Sequence, residues 1–181
     1  MAASLANLGN AVYEQGDTSA AQTLFEESLT ISRELGDRHL TAITLHRLGM
    51  LEGAKGNHRT AEGLYQKSLT VLRELGLRGR IFFSLGALAT VAAALGNPLR
   101  AAGLWGAEER LREEVGLPRP PHETVDFDAQ IRDARATVGD VTTFDLAKQE
   151  GHTLTLEQAI DLALIEPLER RGLSTGSVTL V

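Results

Sequence analysis

The first 116 residues contain three copies of one block of residues, and successive copies are 40 residues apart. Gly16, Gly56 and Gly96 keep this step. The same step relates three further sets of leucines and glycines, which are Leu5, Leu45 and Leu85; Leu24, Leu64 and Leu104; and Gly36, Gly76 and Gly116. A period of this length indicates stacked structural units, each of which completes its core with its neighbours.

Within each copy the residue types follow one order. An apolar stripe ends in a small residue, as in Leu8-Gly9, and a glycine then ends the helix. Asp17 or Asn57 follows that glycine and is suited to cap the next helix. An alanine comes four residues before an aromatic residue in every copy, and these pairs are Ala21 and Phe25, Ala61 and Tyr65, and Ala101 and Trp105. The alanines predict places where two helices cross closely, and Trp105 is expected to be buried against the C-terminal helices.

This order resembles the tetratricopeptide repeat, a helix-turn-helix unit of about 34 residues with small residues at the helix crossing. The resemblance implies an all-α fold, a right-handed superhelix of helix hairpins with C-terminal capping helices. The longer repeat here indicates that both helices are extended by about a turn. The expected divisions are repeats at 1–36, 37–76 and 77–116, a proline-rich linker at 117–123, capping helices at 124–170 and a flexible tail at 171–181.

Periodicity and capping residues also predict individual helices. The first is expected from Ser4 to Gln15, with Leu5, Leu8 and Val12 facing inward, and the second from Thr18 to Leu35. After the linker we expect three shorter helices: one from Glu123 to Val138 with Val125, Ile131, Ala134 and Val138 inward, one capped by Asp140 and running to Glu150, and one that follows the capping box at Thr155 and runs to Leu164.

Composition excludes several classes of function. The formal net charge is −6, which disfavours nucleic-acid binding by this segment because phosphate contacts need a basic surface. The chain has no cysteine, so disulfides and thiol chemistry are excluded. No signal peptide and no apolar run of membrane-spanning length is found, so we expect a cytoplasmic protein with no membrane contact.

A search for catalytic patterns finds none, so we expect neither an enzyme nor a cofactor. No two histidines have the four-residue spacing of a helical zinc site, and no metal site is expected. The adjacent glutamates Glu26 and Glu27 point in different directions on a helix, as do Glu113 and Glu114, so neither pair forms an acid and base. The cluster Arg78-Gly79-Arg80 is interpreted as a short charged loop that adds solubility.

The resemblance places a binding groove along the first helix of each repeat. The residues expected to line this groove are Asn7, Asn10, Tyr13 and Glu14 from the first repeat, His46, Arg47 and Met50 from the second, and Phe83, Ala87, Thr90 and Ala94 from the third. Members that bind a peptide carboxylate use lysine, asparagine and arginine; Asn10 matches one such position, but Ala6, Arg47, Phe83 and Ala87 do not. An amphipathic helix or an apolar segment suits this groove better. Alternatively, several of these residues pack against the C-terminal helices.

The C-terminal part has a second resemblance. Leu104-Trp105-Gly106-Ala107, Pro120-Pro121 and the stretch from Thr155 to Leu164 resemble the end of large bacterial regulators, in which a signalling ATPase, a cyclase or a DNA-binding module comes first. This implies a C-terminal protein-interaction region that also contacts upstream domains of the same polypeptide. The alternative is a receptor that binds an effector or a signal peptide in the groove. Because no capping helix precedes Ser4, we also expect a homodimer through Ala3 to Phe25.

Overall fold

The computed structural model describes residues 1–165, without the side chains of 121–123, and this part of the chain is helical with no strand. The helices, in chain order, are α1 (Ala2–Glu14), α2 (Thr18–Glu34), α3 (Arg38–Ala54), α4 (His58–Glu74), α5 (Arg78–Ala94), α6 (Pro98–Glu114), α7 (Pro121–Ala136), α8 (Val141–Thr153) and α9 (Leu156–Leu164). The predicted all-α fold of tetratricopeptide-type hairpins is confirmed, and the right-handed superhelical turn stays a prediction. The tail expected at 171–181 lies outside the described residues.

Five consecutive helices share one length and one spacing. Each of α2 to α6 has 17 residues, and from α3 onward each begins 20 residues after the helix before it. The 40-residue repeat is therefore a pair of equal helices joined by short turns. In the turn between α2 and α3, Gly36 has a φ of 68°, a left-handed conformation that glycine adopts without strain. A glycine with positive φ recurs in each later turn of the array.

The helix ends depart from the expected ones at several places. α1 begins two residues earlier than expected, at Ala2, and α8 continues past Glu150 to Thr153. The expected linker at 117–123 is too long, because Pro121 is already the first residue of α7. Proline suits the first position of a helix, where its missing N–H would have no partner in the helix.

Side chains cap some of these helices. The carboxylates of Asp17 and Asp37 accept hydrogen bonds of 2.9 Å from backbone N–H groups of α2 and α3. The expected cap at Asn57 is wrong, because its amide donates to the Glu52 carboxylate at 2.8 Å and leaves the start of α4 without a side-chain cap. The capping box at Thr155 is confirmed.

The two helices of a hairpin meet where an aromatic ring lies on the backbone of the first helix. A Cβ atom added to Gly9 would lie 2.6 Å from the Phe25 ring, and one added to Gly49 would lie 2.8 Å from the Tyr65 ring. These distances are shorter than van der Waals contact, so only glycine fits without movement of the ring. The sequence predicted the alanine before each ring as a crossing residue, and Ala61 is fully buried.

Trp105 links the third hairpin to the C-terminal helices, as expected from the sequence. Its side chain is fully buried. The ring centroid lies 6.1 Å from that of Phe127 in α7, in an edge-on arrangement, and 6.5 Å from that of Phe144 in α8. Three helices therefore share one aromatic cluster.

Two residues expected to face inward do not. Leu8 is 52% exposed, although its repeat equivalent Leu48 is buried in a cluster with Phe25. Leu48 has the preceding hairpin to pack against, whereas none of the helices described between residues 1 and 165 covers that side of α1. Val125 is 71% exposed because α7 buries Phe127 and Ala134 instead, and Val125 lies on the other side of the helix.

α8 packs against α6 through glycines, so that the two backbones touch. A Cβ atom added to Gly106 would overlap the carbonyl oxygen of Lys148 and lie 2.8 Å from the backbone nitrogen of His152. A Cβ atom added to Gly151 would overlap the carbonyl group of Gly103. This crossing leaves no room for any side chain on either helix.

α9 lies across the second helices of the repeats. The Arg100 guanidinium donates to the carbonyl oxygen of Ala163 at 2.9 Å and to the Glu62 carboxylate at 2.6 Å. Gln66 donates to the same carbonyl oxygen at 3.1 Å. Side chains of α4 and α6 thus satisfy the free carbonyl groups at the end of α9.

Gly106→Ala should destabilise the fold by at least about 2 kcal/mol, because the new methyl group forces α6 and α8 apart. The matched control is Gly63→Ala on α4, where an added Cβ meets no atom within 4 Å. This control should stabilise the protein by about 0.5–1 kcal/mol through its higher helix propensity. Chemical denaturation measures both changes, and equal effects of the two substitutions would contradict the close crossing.

Candidate functional site

The residues expected to line a groove all lie on α1, α3 and α5, and we refer to the side formed by these helices as the first-helix face. Their exposure differs along the array. Asn7, Glu14 and Phe83 are exposed, and Asn10, Tyr13, His46, Arg47, Met50, Ala87 and Thr90 are partly buried. The structure thus places the expected residues on one set of helices, and their role in binding stays a prediction.

α7 covers the third-repeat end of the first-helix face. The Thr90 hydroxyl donates to the side-chain oxygen of Gln130 in α7 at 2.7 Å. Ala87 and Phe83 line a narrow cleft between α5 and α7. The alternative in which groove residues pack against C-terminal helices therefore describes this end, whereas the residues of α1 and α3 keep part of their surface exposed.

A cavity of about 200 Å³ opens on the first-helix face between the second and third repeats. It brings together three of the expected residues, His46, Arg47 and Phe83. The remaining lining residues come from all three neighbouring helices and are Ala42, Ile43, Ser68, Leu72, Arg80 and Ser84. No carboxylate lines this cavity.

Arg80 is one of the cavity residues that the sequence interpretation missed, together with Ser68 and Ser84. The cluster Arg78-Gly79-Arg80, which the sequence analysis interprets as a loop, forms the first turn of α5. The repeat itself predicts that Arg80 is helical, because the residue 40 positions earlier, Leu40, is the third residue of the corresponding helix α3.

Arg47 is held in an environment that disfavours its positive charge. One contact favours the charge, because the guanidinium lies 5.9 Å from the centre of the Phe25 ring. The other influences oppose it. Burial lowers the pKa of Arg47, and the nearby charge of Arg80 lowers it further. The two guanidinium groups therefore repel each other across the cavity.

Ser84 contributes an unsatisfied hydroxyl group. The residue is fully buried, and its Oγ has no hydrogen-bond partner among the described residues. One repeat earlier, Thr44 donates to the carbonyl oxygen of Leu40 at 2.9 Å and lies 3.5 Å from the hydroxyl of Ser28. Ser68 instead donates to the carbonyl oxygen of Ala42 at 2.7 Å. A buried hydroxyl without a hydrogen-bond partner destabilises the folded state, so a bound group that accepts this hydrogen bond would be favoured at the cavity wall.

His46 forms part of the cavity wall as a neutral imidazole. Its ring centroid lies 4.9 Å from that of Tyr65, at an interplanar angle of 55°. Burial, and to a smaller extent the charge of Arg47, lowers the pKa of His46 to about 4. At neutral pH the ring therefore offers one donor and one acceptor nitrogen.

A second charged cluster lies beside α7 and has a structural role. Glu108 occupies the repeat position held by Ser28 and Ser68, and it is almost fully buried. Its carboxylate accepts hydrogen bonds from Arg112 and Arg119. Burial raises the pKa of Glu108, and the hydrogen bonds and charges of the two arginines offset part of that rise. Arg119 also stacks 3.3 Å from the centre of the Phe127 ring, so this cluster ties α6 to α7.

Within residues 1–165, no group of three or more histidine, aspartate or glutamate side chains is arranged to hold a metal ion. No helix in the same stretch combines the length and apolar character needed to span a membrane.

The fold is a stack of helix hairpins, and in the first two a glycine lies under an aromatic ring where the helices cross. Residues 1–74, which form the first two hairpins, match the family model of the tetratricopeptide repeat. The third hairpin lies outside the match but keeps the same helix length and step. Comparison with curated proteins and with solved structures gives no match.

The lowered pKa of His46 should make stability depend on pH. The unfolded chain binds a proton near pH 6.5 and the folded chain only near pH 4, so stability is full above about pH 6.5 and falls as the pH approaches 4. Between about pH 7 and pH 5 this histidine should account for a loss of about 2 kcal/mol.

The measurement is chemical denaturation of the native chain and of His46→Gln at both pH values. Other groups titrate in this range, and the raised pKa of Glu108 acts in the opposite direction, so the difference between the two proteins is the relevant quantity. If the two proteins lose equal stability on acidification, His46 is not buried in the neutral form.

Proposed function

We propose that this chain is a non-catalytic protein-binding module, and that a segment of a partner protein binds the first-helix face from the first repeat to the cavity between the second and third repeats. The observation that carries the proposal is the accessible part of this face. α7 lies against Thr90 at the third repeat, whereas Asn7, Tyr13 and Met50 keep exposed surface on the first two.

The family match supports this proposal. Tetratricopeptide repeats mediate protein–protein interaction in general, and the matched residues 1–74 include α1 and α3. A repeat array presents an extended surface formed by successive helices, which suits a peptide segment or a helix of another protein.

The size of the cavity favours a protein partner over a small effector. Sites that enclose a small molecule have volumes of about 300–1,000 Å³, and the cavity beside Arg47 has about 200 Å³. A space of this size accommodates one side chain of a bound segment. The effector or signal-peptide receptor therefore remains the second candidate, and a signal peptide would use the same surface.

The proposal extends to the setting of the module. We place it in the cytoplasm, as the C-terminal sensor region of a larger bacterial regulator, in contact with the upstream domains of that polypeptide and without nucleic-acid contacts of its own. The sequence resemblance of the stretch from Thr155 to Leu164 supports this setting, and the net charge of −6 agrees with the lack of nucleic-acid contacts.

Selection of a random peptide library on the purified chain tests the binding function. Selected peptides should bind Met50→Glu at least about tenfold more weakly, because a charge is then buried in the contact surface. The matched control is Thr70→Glu on α4, an exposed residue whose hydroxyl bonds only within its own helix. Peptides that bind both variants equally, or a selection that yields no peptide, would contradict the proposal.

We further propose that two copies pair through the outer side of α1. Leu8 provides an exposed apolar side chain for that contact, whereas Phe25, at the end of the expected range, is fully buried and takes no part. Light scattering at micromolar concentration should give a dimer for the native chain and a monomer for Leu8→Glu. Val125→Glu, which replaces another exposed apolar residue, should stay dimeric. A monomeric native chain would refute the pairing.

A further inference from the structure

The cavity between the second and third repeats concentrates positive charge in an acidic chain. The chain has a net charge of −6, but Arg47 and Arg80 both line this cavity without any carboxylate beside them. In the described part of the chain, no ion pair neutralises either guanidinium group. Arg80 is exposed and Arg47 is partly buried, so water screens part of their repulsion, and an anionic group of another molecule would remove the rest.

The repeat architecture does not require these charges. Forty residues earlier, the position of Arg47 is held by Asn7 and the position of Arg80 by Leu40. The corresponding positions of the first junction are therefore uncharged. The arginines are therefore a property of this one junction, and departures from a repeated pattern of this kind are typical of functional sites.

The cavity also offers hydrogen-bond donors that the fold does not use. The fully buried hydroxyl of Ser84 lines it without a partner among the described residues. The neutral His46 ring adds one N–H donor. Two guanidinium groups, a hydroxyl and an imidazole N–H on the walls of one small cavity match the oxygens of a single anionic group.

We propose that this cavity binds the side-chain carboxylate of an aspartate or glutamate in the segment of the partner protein that occupies the first-helix face. This inference rests on the proposed function and adds the chemistry of the partner. The fork of N–H groups on each arginine suits a planar carboxylate, and the hydroxyl of Ser84 gains its missing partner.

The rim of the cavity indicates what stands next to the acidic residue. Phe83 is 48% exposed at the edge of the cavity, and Ile43 and Leu72 line it from the other two helices. An apolar side chain adjacent to the carboxylate would cover Phe83 while the carboxylate enters between the arginines. The partner segment is therefore an acidic residue flanked by apolar residues.

The test uses two pentapeptides with blocked termini that differ only in the side chain of the central residue. This residue is glutamate in one peptide and glutamine in the other, and in both it has leucine on each side. Each is titrated into the isotope-labelled full chain, and the arginine side-chain N–H signals are followed by NMR. The glutamate peptide should bind about tenfold more tightly than the glutamine peptide, because only the carboxylate neutralises the arginines. It should also shift the signals of Arg47 and Arg80.

Matched variants identify the residue responsible. Arg80→Gln should abolish the preference for glutamate, whereas Arg78→Gln should keep it, because Arg78 is an exposed arginine of the same helical turn that does not line the cavity. Both variants remove one positive charge, so a general electrostatic effect would change them equally. Equal behaviour of the two variants would overturn the proposal.

Acetate serves as the free carboxylate and should bind at least about tenfold more weakly than the glutamate peptide, because it has no flanking contacts. If acetate binds as tightly, the site takes small anions and the proposal of a protein segment is overturned. Equal binding of the two peptides, or none by either, also overturns it. Library-selected peptides that respond to Met50→Glu but not to Arg80→Gln would leave the proposed function standing and refute only this inference.

Discussion

Contact between an aromatic ring and a bare helix backbone determines how closely the two helices approach in each of the first two hairpins. Phe25 lies on Gly9 and Tyr65 lies on Gly49, at distances that exclude even a methyl group on the first helix. This approach brings Ser68 within 2.7 Å of the carbonyl oxygen of Ala42, so that a hydroxyl of one helix bonds to the backbone of the other. The positions of the side chains on the first-helix face depend on this helix spacing, because these rings hold the helices that carry the side chains.

The candidate site arises where that regular pattern changes. The hydroxyl held by Ser28 and Ser68 is replaced at the third hairpin by the carboxylate of Glu108, which bonds to two arginines and ties α6 to α7. At the junction before it, Ser84 has no partner among the described residues, although its equivalent Thr44 does. The first junction is thus internally satisfied, the last is closed by α7, and the middle one is left with free donors.

Residue patterns predicted the features that repeat. The 40-residue step, the turns and the buried aromatic positions all follow from local spacing, and the capping box at Thr155 follows from four adjacent residues. Features that depend on contacts between distant segments were not predictable in this way. Three such features depend on which element lies beside the residue. They are the exposure of Leu8, the hydrogen bond from the Asn57 amide to Glu52, and the close approach of Gly106 to the backbone of Lys148. Arg80 was missed because it was interpreted by its neighbours along the chain, although its repeat position carries the information.

The equal length of the helices has a consequence for how arrays of this kind change size. Since α2 to α6 start at a constant 20-residue interval, a duplication or loss of one helix would keep every turn intact. Such a change would nevertheless bring two helices that carry aromatic rings together, because Phe25 and Tyr65 are on second helices and the glycines beneath them are on first helices. Genetic lengthening of the array is therefore restricted to whole hairpins, and 40 residues is the smallest insertion that restores both the turns and the crossings.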